Sequence, residues 1–154
     1  MTRPSIPALL TAFAGLMAAA PALAHPALDS LIPLMEVYDA RRGATPEFDV
    51  AGIRCGALFS AQQIWSEAHG GQGRPTPAQL SDIELNLTRA ELARRADGMD
   101  ISRAFVATRD DAVRVIGLYS QRFAQRDSGE GAPWLGDPVI AGDTTYCNLL
   151  NNRR

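Results

Sequence analysis

The chain has 154 residues, with 15 basic residues against 17 acidic ones, two His, two Cys and 46% apolar content. That length suits one domain with a real core, and a formal charge of −2 argues against nucleic acid or anionic lipid as a partner. Every basic residue is Arg, which excludes Schiff-base lysine chemistry, a Walker-A lysine and Ser-Lys dyads.

Met1–Ala24 reads as a secretory signal peptide. Arg3 supplies the positive start, an apolar stretch runs from Ile6 to Ala20, and Ala22-Leu23-Ala24 places small residues at −3 and −1 of a cleavage site. An apolar run of about fifteen residues is short for a membrane span, which needs roughly twenty. No Cys follows it to accept a lipid anchor, and a cut after Ala20 would leave Pro21 at +1. The mature domain is therefore expected to be 25–154, beginning at His25 and exported to a bacterial periplasm or the medium. No later apolar stretch is long enough to cross a bilayer.

Apolar periodicity after His25 is mostly that of helices, and proline and glycine punctuate it. A first short helix is expected over Leu31–Arg42, although Pro33 leaves Leu31–Leu34 equally able to be extended. A second covers Pro46–His69, with Thr45 as a cap. Phe48, Ala51, Cys55, Leu58, Phe59, Gln62 and Trp65 follow one of its faces. Val50, Ile53, Ala57, Ala61 and Ile64 form a second stripe, so this helix should be central and the most buried. The third covers Pro77–Asp97, opened by the capping box Thr76-Pro77-Ala78-Gln79 and closed by Arg94, Arg95 and Gly98. A fourth runs from an Asp100 cap to Arg126, with Ile101, Phe105, Thr108, Ala112, Val115, Ile116, Tyr119 and Phe123 in register. The last covers Pro138–Leu150 behind Asp137, with Val139, Asp143, Tyr146, Cys147 and Leu150 on one side. The expected fold is all-α, a bundle of four or five helices.

Two cysteines, Cys55 and Cys147, lie 92 positions apart, both on apolar faces. An even, minimal count in an oxidising compartment reads as one structural disulfide between two helices. No CxxC, CxxCH or Cys/His cluster points to redox, haem or zinc chemistry.

Chemistry-bearing residues are sparse. An N-terminal His25 would offer its α-amine and imidazole together, a bidentate Cu(II) ligand of the histidine-brace kind, with His69 as the available further ligand. At a helix C-terminus His69 is equally explained by the helix dipole. Gly70-Gly71-Gln72 matches the tripeptide that peptide-release factors use for ester hydrolysis, but in an exported acidic chain it reads as part of the loop Gly70–Pro77. Asp97-Gly98-Met99-Asp100 lacks the order of a calcium loop, and Asp110-Asp111 precedes Arg114 at ion-pair spacing. Asn86-Leu87-Thr88 has the form of a glycosylation sequon inside a helix, and Trp134 lies in the loop Ser128–Gly136, suited to cap the bundle end or meet a ligand. No serine sits in a Gly-x-Ser-x-Gly elbow. These features lead to a non-catalytic exported module without a cofactor, binding a protein or small ligand, with copper binding at His25 as the alternative. The plan of a signal peptide, a small helical domain and one long-range disulfide also resembles that of periplasmic acid-stress chaperones, which gives a third reading.

Overall fold

Among the residues described by the computed structural model, 26–39, 48–129 and 131–152, all regular secondary structure is helical. Two short helices, α1 (Pro26–Asp29) and α2 (Leu34–Asp39), precede four long ones: α3 (Phe48–Ala68), α4 (Pro77–Ala96), α5 (Ile101–Arg126) and α6 (Pro138–Asn151). The signal-peptide region, His25, Thr45 and Pro46 lie outside the described residues.

α3 is the centre. Val50–Phe59 is buried without interruption, which matches a helix apolar on two sides. It packs most extensively on α4 and α5. Two small residues set its approach to α4. A Cβ on Gly52 would stand 2.4 Å from the Asn86 carbonyl oxygen, and one on Gly56 would stand 2.9 Å from the Leu87 side chain. Pairing of Gly52 with Asn86 and of Gly56 with Ile83 and Leu87 makes α3 and α4 antiparallel.

Local chemistry defines the helix ends. Thr76 accepts from the Gln79 N–H at 3.2 Å while the Gln79 side chain accepts from the Thr76 N–H at 2.9 Å, the reciprocal capping box. Asp100 caps α5 through the Arg103 N–H at 3.0 Å, and Asp137 caps α6 through Val139 and Ile140. Gly70 and Gly98 take φ of 70° and 94° just beyond α3 and α4, a conformation that other residues adopt only with strain.

The disulfide joins α3 to α6: Cys55 and Cys147 are bonded, with Cα atoms 5.5 Å apart and both side chains fully buried.

The described residues form six helices where four or five were expected, because Pro26–Asp29 closes a short helix of its own, and three further expectations need correction. The continuous helix over Leu31–Arg42 does not form across Leu31–Pro33, which is irregular. Pro33 disfavours helical backbone in the residue before it, so α2 starts at Leu34. Phe48 is 40% exposed and Trp65 only half-buried, because both lie near the ends of α3, where fewer neighbours cover it. In α5, Ile101 and Phe105 are exposed, and the buried stripe is Ala104, Thr108, Ala112, Val115, Tyr119 and Phe123.

Candidate functional site

Arg54 is the lone charge between Val50 and Ser66, and its side chain is completely buried. An unpaired guanidinium there would be very costly, so every donor must find an acceptor. Nε donates to the Tyr119 hydroxyl at 3.0 Å. Nη1 donates to the carbonyls of Ala27 and Ser30 at 2.9 and 3.3 Å. Nη2 donates to the Ile32 carbonyl at 3.1 Å and to Asp143 Oδ2. All five N–H groups of the fork are thereby engaged.

Asp143, on α6 and equally buried, is the reciprocal hub. Its Oδ2 accepts from Arg54 and from the Tyr119 hydroxyl, the latter at 2.5 Å. Its Oδ1 accepts from the Leu34 N–H at 2.7 Å, so a carboxylate from the other end of the chain caps α2. One cluster thus ties α3, α5 and α6 to the segment carrying α1 and α2. Burial works to lower the pKa of Arg54, but Tyr119 and Asp143 outweigh it and hold the guanidinium charged. Burial pushes the Tyr119 hydroxyl well above its ordinary range, and Asp143 reinforces this, so the phenol keeps its proton.

Sequence reasoning placed Tyr119 and Asp143 on core faces but overlooked Arg54. The available signal was a single charge inside a helix apolar on two sides.

At the far end of α3, His69 stacks on Trp65 with ring centroids 4.0 Å apart. Its Nδ1 lies 2.8 Å from the Trp65 carbonyl and its Nε2 lies 3.5 Å from Asp127. Trp134 meets Trp65 edge-on at 5.1 Å and Phe123 at 4.9 Å, closing this end of the bundle. Gly73, with φ of 62°, admits the indole, since a Cβ there would stand 2.6 Å from the Trp134 ring. Gly70-Gly71-Gln72 forms a turn in which the Gly71 N–H donates to the Ser66 carbonyl at 2.8 Å.

The acidic pairs are divided among structural tasks. Asp111 bridges Arg94 at 2.5 Å and Arg114 at 2.6 Å, and Arg114 also pairs with Asp29. Asp97 and Asp100 border the turn from α4 to α5. Asp110 lines a shallow depression on α5 with Ser102, Arg103, Val106 and Ala107. Among the described residues no three His, Cys, Asp or Glu side chains are grouped to hold a metal ion. Asn86 is wholly buried beside α3, so the folded domain offers no sequon for glycan attachment. No helix of the described residues is long and apolar enough to cross a membrane. Comparison of the chain with family models, curated proteins and solved structures found no match.

Proposed function

We propose that this protein is an exported, non-catalytic binding module, delivered by removal of Met1–Ala24 and stapled by Cys55–Cys147 in an oxidising compartment. One observation carries the binding part of this reading. Arg54, Tyr119 and Asp143 form a titratable cluster that is sealed from solvent, with the guanidinium fully engaged. The sealed trio is thus spent on architecture, while the outer face of α5 presents Val106 and Val113 at 55% and 69% exposure.

Copper binding at His25 is the alternative reading, and His69, its available further ligand, stacks on Trp65 and lies 3.5 Å from Asp127.

N-terminal sequencing of the exported protein tests the leader, with His25 expected first. A photo-crosslinking residue at Val106 or Val113 should trap a partner in the native host. Labelling no stronger than at the exposed loop residue Gln72 would refute the proposed α5 contact surface.

A further inference from the structure

The segment Pro26–Tyr38 is held by a pattern that reads peptide backbone. Arg54 takes the carbonyls of Ala27, Ser30 and Ile32, and Asp143 takes the N–H of Leu34. None of those four bonds depends on side-chain identity. Two leucines supply the apolar part, Leu28 at 2% exposure and Leu34 at 0%. The recognised element is a short peptide with leucines six positions apart and three carbonyls turned toward one guanidinium.

We propose that the Arg54–Asp143 crevice is a peptide-binding site for leucine-bearing segments, occupied in this state by the protein's own N-terminal segment as a displaceable strap. This rests on the reading of the protein as a binding module and names its ligand class. Three features support it. α1 and α2 have four and six residues, too short to be stable helices alone, so the segment's order comes from the crevice. α3 packs chiefly on α4 and α5, and the strap touches that framework mainly through α1, with α2 lying on α6. The disulfide also lies where it would keep an emptied crevice in shape. Cys55 follows Arg54 directly on α3, and Cys147 is one turn beyond Asp143 on α6, so both walls are covalently joined. With the strap displaced, water can take the places of the carbonyls, and the Arg54–Asp143 pair remains intact.

Leu31, Val37 and Tyr38 of the strap also pack, partly buried, against the core. Asp29 pairs with Arg114 across partly exposed side chains, and Tyr38 stacks on Tyr146 at 4.9 Å. Exposed ion pairs contribute little, so the strap is held by the crevice bonds together with these apolar contacts.

The test uses the full mature chain and a fluorescent synthetic peptide of residues 26–38, followed by anisotropy. Leu28→Asp in the protein should weaken the strap and leave the crevice. This variant should keep its cooperative melt and bind the peptide at least tenfold more tightly than the wild type. The peptide carrying L28S and L34S should not bind. A folded Leu28→Asp protein that ignores the peptide overturns the proposal, as does a variant that no longer folds, because the segment is then part of the core. Hydrogen exchange on the wild type gives an independent reading. Leu34–Tyr38 amides should exchange through an opening at least tenfold more frequent than that of α3, and equal protection overturns the proposal. Strap exchange between two copies, seen as a dimer that the free peptide cannot dissociate, would assign the crevice to self-association and also overturn it. A crosslinked partner on α5 combined with no peptide binding would sink the peptide site and leave the binding module standing.

Discussion

Removing either half of the Arg54–Asp143 pair leaves the other charge buried, which typically costs about 3–5 kcal/mol. Arg54→Met and Asp143→Leu should each lower the unfolding free energy by that much, as urea denaturation would show. The double variant should be more stable than the sum of the singles, because no charge is then stranded. Strict additivity would mean that Arg54 acts mainly through the carbonyls of Ala27, Ser30 and Ile32. A second contrast lies on the same helix. Phe59 is fully buried and Phe59→Ala should cost about 3–5 kcal/mol. Phe48, 40% exposed, should lose less than half as much when truncated, as paired thermal melts would show. The core positions of Cys55, Asp143 and Tyr119 were legible from helical spacing. The pairing of Arg54 with Asp143 was not, because it depends on how α6 meets α3 across 89 positions of sequence.

The long helices were readable largely because their ends carry local signals that act before any tertiary contact. Thr76, Asp100 and Asp137 cap as side-chain chemistry demands, and Gly98 closes α4. The start of α2 was harder: its first N–H is capped by Asp143 of α6, a partner that periodicity cannot supply. Helix packing was also hidden, since Gly52 and Gly56 look like weak points of a helix until α4 lies against them. Gly52→Ala would drive a methyl into the Asn86 carbonyl, and overpacking of this kind costs about 1–3 kcal/mol. Gly56→Ala meets the Leu87 side chain at 2.9 Å rather than a backbone carbonyl at 2.4 Å and should cost less. On the open face of α5, Gly117→Ala meets nothing and should stabilise by about 0.5–1 kcal/mol through helix propensity. Chemical denaturation of the three variants should return that order, with a change of sign at Gly117.

For the molecule as a whole, the two ends of the described chain are fastened to α3 at one place, by the disulfide and by the Arg54–Asp143 cluster. A 92-residue separation puts the disulfide's contribution at about 4–5 kcal/mol on chain-entropy arithmetic. Replacing both cysteines with alanine should lower the denaturation midpoint accordingly while the helical circular dichroism persists. Acid should act elsewhere, at the start of α6. Asp137 is fully buried, and burial alone would raise its pKa. Hydrogen bonds from Arg122 and from the N–H groups of Ile140 and Val139 prevail and hold it below its ordinary 3.8. A carboxyl depressed in the folded state stabilises the fold above its unfolded value, and that contribution is lost as pH falls through the folded value. Glu84 is depressed by Arg109 in the same direction, but it is largely exposed and contributes little. The melting temperature should therefore hold down to about pH 4 and fall below it. Arg122→Gln should melt lower than the wild type at pH 7, and the gap should narrow as Asp137 protonates. A gap that persists at pH 2 would mean that Arg122 acts by packing rather than charge. Release of Asp137 frees both Arg122 and Arg126 from the α6 cap and loosens the start of the helix that carries Ile140 and Cys147. Binding of a hydrophobic dye should consequently rise over the same interval in which the melting temperature falls. Dye binding that stays flat through that interval would count against any acid-activated chaperone role, because no apolar surface would then open before the fold is lost.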